Sequence, residues 1–593
     1  MPKSLPSATR VTTTDFGIAK TKIATIPQGG RRPEYNNWTK EQLVEEVARL
    51  RKRKKYGLVW ENKPEDVVEQ CKTELPVLKE VKNKAIEKDT NGPVNILIEG
   101  DNYHALSVLN YTHKGKVDVI YIDPPYNTGA KDWKYNNDFV DAEDPYRHSK
   151  WLSFIEKRAK LAKNLLSDGG IFVLTIDDYE IFTVGLLLDE VFGEKNKIGV
   201  VVVETNPRGR TTNTFFATSH EYVLFCAKNI QKAVVEYRDL TEDQAGAFNL
   251  EDKISNYRLL PFRRSGGLST REERPNSFYP IFYNPKSDKI SLEHFTGAFK
   301  ILPIDGDGRE RVWRQTRPSF MEAVKREDIV IRQNGEKFTV VMKDRIKDGR
   351  KAKTIWVDPK YDASSHGTVL LQNILNKRKV FNYPKSLHAV IDTLMVLIKT
   401  NKNGIVLDFF AGSGTTGHAV LELNKQDGGN RQFILCTNNE NNIATDVCYP
   451  RIAKVIAGYK DAKGKKVAGL GGNLKYFRTA FVKAGPNDKN KEALTKQATQ
   501  MLCMREDTFE LVKETKTIKI FKNGKRHTGI VFDESAVPTL KKEIVKFGGI
   551  WSVYIFSLGN DTFDEEFEGM KKITVAPIPE AILRVYRRLF QTT

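Results

Sequence analysis

Short apolar runs separated by amphipathic stretches give the first third of the chain a βα rhythm. Residues 94–99 (VNILIE) read as a strand, a helix carrying Leu106 and Leu109 follows, and Val117, Val119, Ile120 and Ile122 mark the next strand. Residues 151–166 place apolar side chains at helical spacing, Asp168-Gly169-Gly170 are expected to end that helix, and residues 171–176 read as a strand again. Residues 200–203 and 222–226 supply two more. Strands alternating with helices predict a largely parallel sheet covered on both faces. The rhythm stops near residue 229 and resumes at 405–409 and 433–436, so one α/β domain is read as interrupted by an insertion.

The two ends follow other patterns. Residues 1–37 are rich in Thr, Pro, Lys and Arg without a period and read as a mobile arm, broken by Gly29-Gly30-Arg31-Arg32-Pro33. Thr39 and Gln42 make a capping box ahead of Leu43, Val44, Val47 and Leu50, which predicts a helix whose basic end, residues 51–55, is solvated. Beyond residue 480, two strands at 518–521 and 528–532 flank Asn523-Gly524, a hairpin signal. A strand at 551–558 and a helix after Pro579 close the chain, the helix showing Ile582, Val585, Tyr586, Leu589 and Phe590 on one face. The expected division is therefore an arm at 1–37, the first part of a core at 38–229, an insertion at 230–378, the second part of the core at 379–480, and an α+β domain at 481–593.

Composition narrows the class. At 593 residues the chain is too long for one core. It contains no run of eighteen apolar residues, and its first residues lack the apolar centre of a secretory leader, so a cytoplasmic protein with no membrane partner is expected. Five cysteines without a C-x-x-C pair fit reduced thiols better than a disulfide framework or a metal site. The formal charge of +20 points to a polyanion, most simply nucleic acid. Residues 256–378 alone hold 25 Lys and Arg against 15 Asp and Glu, interleaved with aromatic residues.

Two stretches carry chemistry. Asp123-Pro124-Pro125-Tyr126 follows the strand at 117–122, and the two prolines stop that strand because neither can donate to a ladder. The carboxylate of Asp123, prolyl-segment carbonyls and the Tyr126 ring then surround one small space. That set suits an exocyclic amino group on a flat heterocycle. Downstream, residues 405–417 read strand, glycine-rich turn, helix: Asp408-Phe409-Phe410-Ala411-Gly412-Ser413-Gly414-Thr415-Thr416-Gly417. Gly412-x-Gly414-x-x-Gly417 matches the dinucleotide fingerprint, and Glu440 lies where an acid would meet ribose hydroxyls. Asp408 would repel a pyrophosphate yet can pair with the ammonium of a methionine moiety, which favours S-adenosylmethionine. No lysine follows the glycines as a phosphate-binding loop requires.

The order of D-P-P-Y, a basic region and then F-x-G-x-G resembles the β class of DNA adenine amino-methyltransferases. Phe381-Asn382-Tyr383-Pro384-Lys385 resembles that family's cofactor-pocket segment, and Asp101 in E-G-D-N its adenine-contacting aspartate. Tyr56–Glu61, Asn206-Pro207-Arg208-Gly209-Arg210, Ser219-His220-Glu221-Tyr222 and Pro579-Glu580-Ala581-Ile582 narrow the likeness to the modification (Mod) subunits of type III restriction-modification systems, over residues 40–593. Ser386 departs from the second proline many relatives carry.

The resemblance implies a Rossmann-like S-adenosylmethionine-dependent methyltransferase core with an inserted target-recognition domain and a C-terminal assembly domain. It assigns base contact to Asp123, Pro124, Pro125 and Tyr126, with base flipping. It assigns the cofactor to Asp408, Phe409, Ala411, Gly412, Ser413, Gly414, Thr415, Glu440, Asp101 and Lys385, and calls for no metal. Double-stranded DNA is the expected partner, with Arg208, Arg210, Arg311, Trp313, Arg314 and Arg317 as candidate contacts; Trp313 equally suits a core position among solvated arginines. His220 and Phe216 are candidates for the wall of the base pocket. A homodimer and a separate restriction (helicase-nuclease) subunit are implied. A stand-alone adenine methyltransferase remains open, as does a cytosine 4-amino methyltransferase, although that family usually has serine at the Asp123 position.

Overall fold

The computed structural model describes residues 60–590, except 90, 91, 137, 210–214, 348, 486, 560 and 562, and in a separate unit spanning residues 1–59 only residues 39, 40, 43 and 44. The expected arm and the basic run at 51–55 lie outside the described residues. In the small unit the Leu43 amide donates to the Thr39 carbonyl at 3.0 Å, one helical turn.

A ten-stranded sheet organises the larger unit. Its strands are β1 (Glu74–Glu80), β2 (Val94–Glu99), β3 (Val117–Ile122), β4 (Leu166–Ile176), β5 (Lys197–Glu204), β6 (His220–Ala227), β7 (Ile355–Trp356), β8 (Ile405–Asp408), β9 (Gln432–Thr437) and β10 (Asn473–Lys483). Their spatial order is β1-β10-β2-β9-β8-β3-β4-β6-β5-β7. The five pairings from β10 to β4 and the one from β5 to β7 are parallel; β6 is antiparallel to both of its neighbours, and β1 runs against β10. Alternation along the central strands feeds two cores. Ile120 and Ile122 enter one with the helices Asn102–Thr112 and Arg147–Leu165, while Val119 and Tyr121 enter the other with Leu387–Ile398 and Thr415–Asp427.

The helix expected to stop at Asp168-Gly169-Gly170 stops earlier, at Leu165, and β4 begins at Leu166. Leu166, fully buried, pairs with Val117, and the next pair is Val119 with Ile171, so the three residues form an irregularity inside the strand. A Cβ on Gly170 would lie 2.9 Å from the Val117 carbonyl oxygen, an approach that requires glycine there.

Between the two halves of the large sheet, residues 250–345 build a four-stranded and a three-stranded antiparallel sheet of their own. Phe262, Tyr279, Ile281, Trp313 and Phe320 are buried together there. The large sheet nevertheless takes in Ile355–Trp356 from within residues 230–378. After β10, five strands from Glu510–Glu514 to Ile573–Ile578 form a separate sheet whose hairpin turns at Asn523-Gly524, with Gly524 at φ +57°. The last helix, Glu580–Phe590, buries Ile582 and Tyr586 in the core of the large sheet, where the Tyr586 hydroxyl donates to the Pro76 carbonyl at 2.5 Å. The apolar stripe read from the sequence is thus covered within the chain.

Candidate active site

Chain direction decides where a ligand can enter. From β3 the chain passes through the Arg147–Leu165 helix to β4 on one side; from β8 it passes through Thr415–Asp427 to β9 on the other. β3 and β8 are neighbours, and their helices lie in different cores, so the sheet switches direction between them. The crevice beyond the carboxyl ends of such strands is where open α/β sheets bind ligands. Asp123 follows the end of β3 and the glycine-rich turn follows the end of β8. Both open into one cavity of about 690 Å³.

At the β3 side, the register pairs Ile122 with Leu174, which sets Thr175 beside Asp123. The Thr175 hydroxyl donates to Asp123 Oδ1 at 2.7 Å. Lys385 reaches across from the segment before the Leu387–Ile398 helix. Its ammonium lies 3.1 Å from Asp123 Oδ1 and 2.5 Å from Glu221 Oε2, donates to the Tyr126 hydroxyl, and stands 4.6 Å from the centre of the Tyr126 ring. Burial pushes the Asp123 carboxyl above its usual range, more than Lys385 draws it down. Burial likewise works against the Lys385 charge, but Asp123 and Glu221 outweigh it and hold that ammonium above its ordinary pKa. Asp177 at the cavity wall is pushed up to about 7 by burial, with Glu221 and Asp178 adding to the rise.

One prolyl carbonyl of the turn has a partner inside the fold. The Trp151 indole donates to the Pro125 carbonyl at 2.7 Å, so that oxygen anchors the turn. Pro124 and Pro125 both line the cavity, and the Pro125 carbonyl has this structural partner as well. Behind it, Asn127 holds a left-handed conformation (φ +58°), with its amide donating to the buried Glu180 carboxylate at 2.5 Å. His148 lies 2.6 Å from the same oxygen.

At the β8 side, Asp408 accepts from the Phe410 amide at 2.9 Å and from the Thr416 hydroxyl at 2.6 Å, and burial lifts its pKa to about 7. Gly412 has φ +47°, and a Cβ there would meet the Phe381 ring at 3.0 Å. Both residues line the cavity, so glycine leaves open a cradle that any side chain would fill.

Of the residues expected at the cofactor, Asp408, Ala411, Gly412, Ser413, Thr415 and Lys385 line this cavity. Phe409 is buried beneath it and Phe410 takes the wall position. Gly414 is not a lining residue, and a Cβ there would meet Cys448 and Ile452. Asp101 and Glu440 are not among the lining residues: Asp101 caps the Asn102–Thr112 helix, accepting from the Tyr103 amide at 2.7 Å, and Glu440 pairs with Lys134. His220 lines the cavity, whereas Phe216 is 85% exposed. Ser386, the departure from the family pattern, is buried and its hydroxyl donates to the Lys360 carbonyl at 2.8 Å.

The candidate DNA contacts divide. Arg208 is exposed in the turn after β5, and Arg210 lies outside the described residues. Arg314 and Arg317 are exposed, while Arg311 is held by Asp305 at 2.7 Å. Trp313 is 3% exposed, stacks on Phe262 and donates to the Tyr279 carbonyl at 2.8 Å. It is a core residue, with no ring face left for a base.

Thr175, Glu221, Asp177 and Trp151 belong to the site and were not assigned from the sequence. Thr175 was accessible to one argument, since the end of β4 had to sit beside the end of β3. Glu221 falls in the Ser219-His220-Glu221-Tyr222 stretch, but nothing local tells that its side chain turns toward Lys385, 164 residues away.

A family model described as DNA methylase matches residues 117–446. The type II methyltransferase M.KpnI of Klebsiella pneumoniae is 34% identical over 377 residues, covering 62% of this chain and 86% of that protein. The EcoPI Mod subunit of a type III restriction-modification enzyme from Escherichia phage P1 is 31% identical over 408 residues, covering 61% and 60%. The StyLTI Mod subunit of Salmonella typhimurium is 28% identical over 405 residues, covering 64% and 58%. The chain thus aligns with most of the Klebsiella protein and with less than two thirds of either Mod subunit.

Proposed function

The chain belongs to the DNA methylase family, and from that premise we propose that it methylates the 6-amino group of adenine in duplex DNA, as the modification and recognition subunit of a type III restriction-modification system. The observation that carries the reading is the meeting of Asp123-Pro124-Pro125-Tyr126 and the Gly412 turn in one cavity, of a size that holds a nucleoside cofactor beside a base. S-adenosylmethionine fits the β8 side: Gly412 leaves the cradle, Asp408 offers an acid to the methionyl ammonium, and Ser413 and Thr415 offer hydroxyls. When bound, it supplies a methyl carbon made electrophilic by the sulfonium.

The amino nitrogen of a paired adenine is unreachable in the stack, so the base must be flipped out. Tyr126 provides the plate on which it stacks. Asp123 and the Pro124 carbonyl accept from the amino group, which draws the nitrogen lone pair out of ring conjugation and fixes its direction of attack. The nitrogen sheds one proton on transfer, and Asp123 is the nearest base. Lys385 indicates what the pocket favours: three oxygens, from Asp123, Glu221 and Tyr126, converge on one N–H donor group. For the base to stack, that ammonium must swing aside on its flexible stem. Aspartate at position 123 favours adenine over cytosine.

The insertion, with its basic surplus, is assigned to recognition. Lys and Arg on its surface would supply affinity through phosphates, and a few side chains would read base edges. A homodimer and a separate restriction subunit belong to the same reading. A stand-alone methyltransferase is the second one, favoured by the 86% coverage of the type II enzyme. Sequencing that detects methylated bases, on DNA exposed to the purified chain and S-adenosylmethionine, should find 6-methyladenine within one sequence. Finding 4-methylcytosine, or no mark, overturns the proposal. In the same experiment, replacing residues 250–345 by the corresponding segment of a relative should change the marked sequence; an unchanged target removes the insertion from recognition. Light scattering at micromolar concentration should give twice the monomer mass, and a monomer active on its own would favour the stand-alone enzyme.

A further inference from the structure

Arg451, on the helix Tyr449–Ala457, is fully buried beneath the glycine-rich turn. Its Nη1 donates to the Thr415 hydroxyl at 2.8 Å and the Ser413 hydroxyl at 3.0 Å, and Nη2 lies 3.3 Å from His418 Nδ1. Its Nε has no hydrogen-bond partner, and no carboxylate among the described residues pairs with the guanidinium. The nearby Glu422 is turned to His418 instead, at 3.5 Å. Burial lowers the Arg451 pKa only to about 10, so the group is charged at neutral pH. A buried charge with no counter-charge is costly. A chain that keeps one next to a ligand cavity has left its balance to the ligand.

The hydrogen bonds state which way that balance runs. A guanidinium can only donate, so the Ser413 and Thr415 oxygens both act as acceptors toward it and their own hydrogens point elsewhere. The two hydroxyls are 3.2 Å apart, so one hydrogen at most is used between them. At least one remains for the cavity, which both residues line. A hydroxyl that accepts from a cation is also a stronger donor. The turn therefore presents a polarised O–H backed by a buried positive charge, which suits an anion.

We propose that Arg451 is a positioning residue that turns the Ser413 and Thr415 hydroxyls toward the methionyl carboxylate of S-adenosylmethionine and supplies its counter-charge from behind. Asp408, on the other flank of the turn, then serves the ammonium of the same amino-acid moiety. The proposal rests on the cofactor reading above, and it adds that binding discriminates by the carboxylate.

The test is equilibrium binding to the full chain without DNA, using S-adenosylmethionine and its decarboxylated form, which differ only in that carboxylate. The unaltered chain should bind the decarboxylated form roughly 10- to 100-fold more weakly, the range a hydrogen bond to a charged group supports. Arg451→Met should weaken S-adenosylmethionine to the level of the decarboxylated form and leave the latter's affinity unchanged. Arg451→Lys, which keeps the charge, should retain part of the preference. Equal affinity of the unaltered chain for both compounds overturns the inference without any variant having to fold. So does Arg451→Met weakening both equally, which is what a staple of the turn alone would do. Failure of the unaltered chain to bind either compound would instead refute the cofactor reading itself.

Discussion

Asp123→Ala is expected to slow methyl transfer to DNA by at least 10²–10³-fold, the cost of removing one group aimed at the reacting centre, while S-adenosylmethionine binding without DNA stays near that of the unaltered chain. The separation follows from position. Asp123 meets Thr175 and Lys385 on the β3 side, whereas the cradle proposed for the cofactor lies at the Gly412 turn after β8. Alanine also leaves Lys385 with Glu221 as its one nearby carboxylate partner in the salt-bridge cluster, so some disturbance of the Tyr126 ring is included in the loss. Asp123→Asn distinguishes the two effects. It keeps the volume and the capacity to accept from Thr175, but turns one acceptor of the amino group into a donor. It should be about as slow as alanine if acceptance from the base is what matters. Single-turnover methylation with labelled cofactor, read beside equilibrium dialysis, makes the comparison. Near-normal transfer in either variant would remove Asp123 from the chemistry, and a parallel loss of cofactor binding would move it to the other side of the cavity.

The central strands were legible because each is buried on both faces and must be apolar throughout. Residues 94–99, 117–122, 405–408 and 432–437 announce themselves that way. β1 was not legible. It contains Pro76, which demotes a run to an edge, and an edge is where β1 sits. β10 was missed for a related reason: Asn473–Lys483 mixes Lys475, Arg478 and Lys483 with its apolar residues, as a strand one place from the edge can. The Asp168-Gly169-Gly170 error came from giving the glycines their usual stopping role, when the Val117 carbonyl required the close approach that only glycine allows.

The same contrast separates the site residues. Asp123, Tyr126 and the Gly412 turn, which meet in one cavity, are legible because the motifs that single them out are consecutive residues ending a strand. Thr175, Glu221 and Arg451 act from other elements, and their meaning depends on which strand lies beside which and on what a helix buries. In the sequence Arg451 is one more cation in a basic chain. Only the lack of a counter-ion around it sets it apart. Trp313 shows the opposite failure, since an aromatic residue between arginines looks like a reader of bases until its ring is seen stacked on Phe262. The C-terminal stripe was a sound reading of an amphipathic helix, but periodicity says that a face is covered and not by what.

Gly412→Val should cost cofactor affinity more than tenfold, about 1.4 kcal/mol or more, and the reason lies in which state each part of the damage falls on. At φ +47° an L side chain is strained by roughly 1–2 kcal/mol, but that strain is present with and without ligand and lowers stability, not affinity. The Cβ and its two methyl groups, directed at the Phe381 ring from 3.0 Å, take up cavity volume that the cofactor needs, and that cost falls on the bound state alone. Gly428→Val is the control. Gly428 ends the helix Thr415–Asp427 with φ +68°, and a Cβ there meets nothing within 4 Å. It should lower the unfolding midpoint by a similar strain and leave S-adenosylmethionine affinity unchanged. Gly412→Ala, carrying the Cβ without the methyls, should fall between the two. Thermal unfolding with and without S-adenosylmethionine reads both quantities on each variant, because a ligand raises the midpoint only as far as it binds. A folded Gly412→Val that the cofactor stabilises as much as the unaltered chain would show that the methionyl end does not lie against this turn.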